Sequence, residues 1–412
     1  PVIRWVEGDV GEVAMQVFNP MPFDIKISKM TLLTEGVPFQ AFPSCLALSN
    51  DNMSHPFMLL GIPEGPGELA ITGYSVELFG IQSNCPITET ILDKQFSLPL
   101  VVNVTPKLPL LQFHSEIKDV KSFVNSNHRG SSLSLEVKIH KGQSISGPVR
   151  VENVGKVPVE NFTITLLSSF KADKINLVTL EEDHVTESLP LKAETSGQLN
   201  LTLHGILPEE LQDGGILNWA GKLKVSYSGG EAWKLGLSRR AAVDIRIEVI
   251  PSLHVVNYSV VSVEKGDGDY FEIGMNVVNQ TSYEVQWRFQ MNTGIAYPDV
   301  ANNLSAGHSV RTTLELEKFD LSGSDTKISE CEACTKKILD LVKLHWEIPD
   351  LKIVGVLNLD GLQITEEMVN IVRKNQLNIE FSVGKVKAKK GDCIPITASK
   401  PVFLTVSVFN SS

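Results

Sequence analysis

At 412 residues the chain is longer than one small β-sandwich requires and suffices for about three domains, each with its own core. Its 42% hydrophobic and 21% charged residues exclude wholesale disorder. A formal net charge of -11, with the densest basic run only Lys385, Lys387, Lys389 and Lys390, excludes a nucleic-acid-binding face, because neutralising phosphates needs a basic surface.

That lysine run alternates with Val386 and Ala388 and reads as a solvated strand edge. No apolar run reaches the roughly 18 residues of a membrane-spanning helix; residues 96–102 are typical, short and interrupted by Ser97 and Pro99. Pro1 in place of an initiating Met sets the expectation that the sequence begins inside a longer protein. Cys45, Cys85, Cys331, Cys334 and Cys393 are odd in number and leave the middle of the chain without any, which favours a reducing compartment over a secreted array with one inter-sheet bridge per sandwich. Asn-x-Ser/Thr triplets at Asn52, Asn103, Asn161, Asn200, Asn257, Asn279, Asn303 and Asn410 point toward the secretory pathway instead. Turn-rich β-proteins are nevertheless enriched in these residue types, which accounts for the triplets without glycans.

In chain order, alternating or β-branched segments at 13–17, 23–27, 69–78, 162–166, 199–203, 222–227, 243–250, 253–263 and 312–316 predict strands. Turns are expected at Gly65-Pro66-Gly67, Ser228-Gly229-Gly230 and Gly266-Asp267-Gly268, and linkers at 105–110, with Pro106 and Pro109, and at 251–253. Ser324 is expected to cap a helix over 327–340 that places Ile328, Cys331, Cys334, Ile338 and Leu341 on one side. The period then changes to two at Val342, Leu344, Trp346 and Ile348, predicting a strand. A second short helix is expected at 366–374, followed by the alternating Leu377, Ile379, Phe381 and Val383.

One pattern recurs at intervals of about 130 residues. A strand ends in Asn19, Asn153, Asn279 or Asn410, with Val17, Val151, Val277 or Val408 two residues earlier and Met15, Val149, Met275 or Val406 four earlier. A spacing of two puts these side chains on one face. After the first three Asn the chain returns with Phe23, Val157 or Tyr283 at the fourth position and Ile25, Val159 or Val285 at the sixth, reading as a strand pair with a marked inner face. Asn suits the junction because its side chain can bond local backbone and it tolerates left-handed dihedrals. The fold class is therefore mainly β: tandem immunoglobulin-like sandwiches at 1–104, 105–250 and 251–382, the third with one or two short helices, and the first strands of a fourth at 383–412, expected to be cut off after Asn410.

Catalytic motifs fail on spacing. Gly155-Lys156, Gly221-Lys222 and Gly384-Lys385 lack the earlier glycine of a phosphate-binding loop, and Gly266-x-Gly268 meets Phe271 where a third glycine belongs. In Gly73-Tyr74-Ser75-Val76-Glu77 a glutamate replaces the second glycine of a nucleophile elbow, so Ser75 reads as a strand residue. Cys331-Glu332-Ala333-Cys334 has the spacing of half a zinc site or a redox pair, but only the single His308 and His345 accompany it in the third module, and both cysteines extend a helix's apolar side. The histidines are scattered singly, and Glu181-Glu182-Asp183 and Glu209-Glu210 flank turns as solvated carboxylates. No catalytic residue, cofactor or metal is expected.

The run Gly8-Asp9-Val10-Gly11-Glu12-Val13 leading to Val17-Phe18-Asn19-Pro20-Met21-Pro22-Phe23, then Leu32-Leu33-Thr34-Glu35-Gly36-Val37, resembles the C-terminal half of the large subunit specific to the TRAPP II vesicle-tethering complex, the NIK- and IKK-binding protein family. Gly73-Tyr74 with Phe79-Gly80 and Cys85, Tyr227-Ser228-Gly229-Gly230, Glu248-Val249-Ile250-Pro251-Ser252 and Trp346-x-Ile348-Pro349 continue the resemblance in order. Residues 170–215 and 290–345 match loosely. The resemblance implies a cytoplasmic protein, peripheral to Golgi and endosomal membranes, that scaffolds a complex activating Rab GTPases while other subunits carry the exchange surface. Implied partners are other TRAPP subunits and, through them, Rab GTPases, with no nucleic acid and no small-molecule substrate. An extracellular adhesion or receptor segment built of glycosylated sandwiches is the alternative.

Overall fold

The alternating segments pair into β-sheets in a computed structural model, which describes residues 3–51, 53–88, 100–127, 130–168, 176–181, 188–211, 214–265, 268–291, 301–320, 329–374, 377–383, 386–388, 401 and 403–410. The chain divides into two compact units. One comprises residues 1–139, 144–206 and 216–250, and the other 140–143, 207–215 and 251–412.

The first unit holds two sandwiches. In the first, Gly11–Phe18, Ser54–Pro63 and Phe39–Phe42 form one sheet. The opposite sheet runs Ile3–Val6, Leu100–Thr105, Gly67–Leu78, Ile25–Gly36 and Ser44–Leu48, with Ile81–Pro86 also paired to Gly67–Leu78. Inward residues of both sheets, among them Leu59, Leu69, Ile71, Val102 and Val104, make the core, and Trp5 stacks on Phe39 at 6.0 Å. In the second sandwich, Leu111–Ser115, Ser144–Asn153, Ser196–His204 and Val178–Glu181 face Lys121–Asn127, Gly130–His140, Arg239–Ile250, Leu217–Ser228 and Asn161–Ser168. Asp9 of the first sandwich and the buried Arg239 of the second form an ion pair at 2.7 Å. Tyr227, fully buried, accepts from Leu111 N–H at 3.3 Å, and burial raises its phenol pKa.

The second unit contains a third sandwich: Leu253–Lys265, Gly268–Asn279 and Ser309–Glu317 face Asn302–Leu304, Val285–Met291, Val342–Ile348 and Ile353–Leu357. Helices Glu330–Leu341 and Glu366–Val372 add Cys334, Ile338, Val369 and Val372 to its core. The segment 140–143 belongs here: Lys141, almost fully buried, pairs with Asp360 at 3.2 Å, Val356 N–H donates to Gly142 O, and His140 sits edge-on to Trp346. Tyr258 donates to Asp360 O at 3.0 Å, and its phenol is pushed far up by burial and by Asp360.

Several expectations need correction. Ser329 caps the first helix of the third sandwich, its hydroxyl accepting from Glu332 N–H; Ser324, Lys327 and Ile328 lie outside the described residues. Cys331 is therefore in the first helical turn. The second helix ends at Val372 instead of 374. Gly229-Gly230 opens a short helix, Gly230–Lys234, where only a turn is expected: Gly229 lies so close to Pro158 O that a Cβ there would sit 1.9 Å from it. The strand Leu377–Val383 spans the expected boundary at 382/383 and pairs with Val386–Ala388 and Leu404–Asn410 in a sheet of its own. Val386–Ala388 is an edge of that sheet and Lys387 is exposed on it; Lys385, Lys389, Lys390 and Cys393 fall outside the described residues, as do Gly266 and Asp267 of the expected turn.

Tryptophan rings pack over strand glycines throughout. A Cβ on Gly11 would meet Trp5 at 2.6 Å, on Gly221 it would meet Trp219 at 2.1 Å, and on Gly355 it would meet Trp346 at 2.3 Å. Trp346 and Gly355 are cross-strand partners, so the ring cannot withdraw without leaving the core. Gly355→Val is expected to destabilise the second unit by about 1–3 kcal/mol through overpacking, read as a lower denaturant midpoint with the slope unchanged.

Candidate functional site

The repeated Asn occupies the point where the chain leaves one sheet and enters the other. Gly11–Phe18 and Ile25–Gly36 lie in opposite sheets, as do Ser144–Asn153 and Asn161–Ser168, and Gly268–Asn279 and Val285–Met291. The expected strand pair is thus a sheet crossing in all three copies, because alternation marks an inner face without saying which sheet the next strand joins.

A crossing strands backbone groups that neither ladder reaches, and burying them unbonded is costly. Asn19, Asn153 and Asn279 are 1%, 0% and 1% exposed. In the first copy, Asn19 Nδ2 donates to Phe23 O at 2.7 Å and to Leu48 O at 3.2 Å, and its Oδ1 accepts from Met21 N–H at 2.9 Å. Asn153 repeats this with Val157 O at 2.9 Å, Leu191 O at 3.0 Å and Gly155 N–H at 3.1 Å. Asn279 does so with Tyr283 O at 2.8 Å, Leu304 O at 2.9 Å and Thr281 N–H at 2.9 Å. Each amide uses both N–H groups and its oxygen, tying its own turn to a distant strand. None of the three adopts a left-handed backbone, so that tolerance plays no part. Strand Leu404–Asn410 includes Asn410, whose side chain lies outside the described residues.

The flanking positions divide by what is used. At the sixth residue after Asn the side chain matters: Ile25, Val159 and Val285 are 7%, 0% and 0% exposed. At the fourth only the carbonyl matters, and Phe23 and Tyr283 leave their rings 50% and 39% exposed. The far acceptor is a buried leucine each time, paired with that sixth residue: Ile25 with Leu48, Val159 with Leu191, Val285 with Leu304. In the second and third copies the main chain of the Asn is held as well, with Glu194 and Gly307, both at positive φ, donating to Asn153 O and Asn279 O. Sequence reasoning misses these leucines because they follow the Asn at no fixed distance.

A second repeated contact lies on the other side of the marker strand. Leu111 stands opposite Asn153, Leu253 opposite Asn279 and Leu377 opposite Asn410, with Phe113, Val255 and Ile379 opposite the preceding valines. Gly11–Phe18 is different: among the described residues it is the end strand of its sheet, paired with Ser54–Pro63.

The residues weighed for chemistry are structural where described. Ser75 is a buried residue of Gly67–Leu78, its hydroxyl accepting from Gln82. Cys334 is fully buried, and burial, then Cys331 and Glu330, push its thiol pKa up, the opposite of what a reactive thiolate needs. No group of three metal-ligating side chains comes together among the described residues. His204 touches Ser144 Oγ and Thr179 Oγ1, and burial lowers its pKa.

Comparison with known proteins bears on this architecture. Residues 4–89 match the family model described as Trs120/TRAPPC9, first Ig-like domain, which spans most of the first sandwich and its Asn19 crossing. Trafficking protein particle complex subunit 9 of Bos taurus is 27% identical over 87% of this chain and 36% of its own length. The Xenopus laevis protein of the same name is 24% identical over 99% of this chain and 40% of its own. The trafficking protein particle complex II-specific subunit 120 homolog of Oryza sativa subsp. japonica is 22% identical over 64% of this chain and 24% of its own. The chain is similar to TRAPP II-specific subunits. It spans little more than a third of the length of these animal relatives. The similarity to trafficking protein particle complex subunit 9 of Xenopus laevis extends over all three Asn-marked sandwiches.

Asn279→Ala is expected to cost about 2–4 kcal/mol, because Tyr283 O, Leu304 O and Thr281 N–H lose their buried partner. Asn279→Asp, which cannot donate to two carbonyls, is expected to cost at least as much at neutral pH. Urea unfolding of the two variants checks both; a loss below about 0.5 kcal/mol would contradict the account.

Proposed function

We propose that the chain is a non-catalytic scaffold segment of a TRAPP II-type vesicle-tethering complex, supporting Rab GTPase nucleotide exchange carried out by other subunits. The observation that carries this reading is the relationship to TRAPP II-specific subunits along most of the chain, including the animal proteins whose name makes them subunits of a trafficking complex. The division into three sandwiches and the start of a fourth, with the last boundary moved ahead of strand Leu377–Val383, is part of the proposal. Each crossing amide is consumed by its own fold, so what the sandwiches offer to other proteins is sheet edges, sheet faces and loops.

The proposed location is cytoplasmic, at Golgi and endosomal membranes, with recruitment through the complex. Among the described residues no helix is long and apolar enough to cross a membrane. Asn279 weighs against the extracellular alternative: it heads an Asn-x-Thr triplet, yet its amide is 1% exposed and committed to two carbonyls, so a glycan there is incompatible with the folded crossing.

Affinity-tagged full-length protein isolated from its own cells is expected to bring down other subunits of the trafficking complex. Recovery without any such subunit would overturn the proposal.

A further inference from the structure

Asp9 and Arg239 stand 230 residues apart and belong to different sandwiches, yet their side chains meet at 2.7 Å with only 21% and 8% of their surface exposed. Both are held in place by their own sandwich. Asp9 lies in the turn between Ile3–Val6 and Gly11–Phe18, where its N–H donates to Val6 O at 3.1 Å. The N–H of Gly8, at a φ of 83°, donates to Pro63 O at 2.9 Å in the same turn. Arg239 opens the strand Arg239–Ile250 and stands opposite Tyr227 in the ladder. Tyr227 in turn accepts from the N–H of Leu111, in the first strand of the second sandwich. Burial raises the Tyr227 phenol pKa above all, and the Leu111 N–H, Arg239 and Asp9 act on it as well, which puts the phenol beside the pair.

The covalent link between these two sandwiches is tied down at both ends. Toward the first, Thr105 O accepts from Glu7 N–H at 2.9 Å, Thr105 Oγ1 donates to Trp5 O at 3.1 Å, and Lys107 pairs with Glu7 at 3.2 Å. Toward the second, Leu110 O accepts from Val154 N–H at 2.9 Å and from Gly155 N–H at 3.2 Å. The approach there is close: a Cβ on Gly155 would sit 2.6 Å from Leu110 N. Only residues 106–109 lie between these anchors, with φ fixed at Pro106 and Pro109 and the second of these prolines buried.

Tandem domains joined by a linker move relative to one another by default. A buried ion pair opposes such motion strongly, because separating the partners leaves each charge uncompensated away from water, even though the intact pair contributes little net stability. We infer that the first two sandwiches form one rigid arm, with the Asp9–Arg239 pair fixing their mutual orientation. Their membership of a single compact unit agrees with this. The arm holds the loops and sheet faces of both sandwiches at a set spacing, which neither sandwich alone could do.

Distances between spin labels on encoded non-natural residues at the exposed Lys26 and Lys224, one on each sandwich, test the arm in the full chain with the native cysteines untouched. Electron double resonance on the wild-type protein is expected to give one narrow distance distribution. Asp9→Asn and Arg239→Gln are each expected to widen it by about twofold or more, and together no further than either alone, since each removes the same pair. Lys107→Gln, which breaks an ion pair open to solvent, is expected to leave the width unchanged. Hydrogen exchange in Gly67–Leu78 and Ser196–His204 reports whether both sandwiches of each variant stay folded. Asp9→Asn combined with Arg239→Met leaves no lone buried charge, and it serves where a single variant unfolds. A broad distribution in the wild-type protein overturns the inference, and so does a narrow one that no folded variant widens. Either result is independent of the co-purification that tests the scaffold reading.

Discussion

The constraint on which the rest of the structure depends is that a sandwich must pass its chain from one sheet to the other through the edge of its core. The backbone there leaves one ladder before it joins the next, and its polar groups are already out of water. A single asparagine meets this demand three times over in this chain, donating both amide hydrogens and accepting with its oxygen at Asn19, Asn153 and Asn279. No other side chain of that size offers two donors and an acceptor in one plane without a charge to bury. The crossing fixes where the second sheet begins, and hence which residues of the following strand face inward: Ile25, Val159 and Val285 in turn.

This explains why so much of the fold is legible in the sequence and why some of it is not. The Asn, the valine two before it and the apolar residue six after it stand at fixed offsets, because they share one strand and one turn. The leucine acceptors Leu48, Leu191 and Leu304, and the covering residues Leu111 and Leu253, come from other segments at variable distances, so no period reveals them. Alternation defines faces and not neighbours, which is why a sheet crossing reads as a strand pair. The cap of the helix Glu330–Leu341 was open to a closer reading: Ser329 is followed three residues later by Glu332, a capping-box spacing that Ser324 lacks.

The same logic separates candidate sites from structural residues. Cys331 and Cys334 have the spacing of a reactive pair, but Cys334 is buried in the core, where burial, then Cys331 and Glu330, raise its thiol pKa, and Cys331 packs against the same core. The pair is packing. What distinguishes the sandwiches from one another lies outside the crossings: among the described residues the marker strand of the first ends its sheet, paired with Ser54–Pro63, whereas those of the second and third lie inside theirs.

The central claim is that the three asparagine amides are structural donors locked inside the sheet crossings. Solvent exchange of the side-chain amide protons, followed by NMR on protein labelled at asparagine, tests it most directly. The account predicts that the Asn19, Asn153 and Asn279 amide pairs exchange at least about a hundredfold more slowly than those of exposed asparagines such as Asn103 and Asn161. Exchange at the rate of those exposed residues would contradict it.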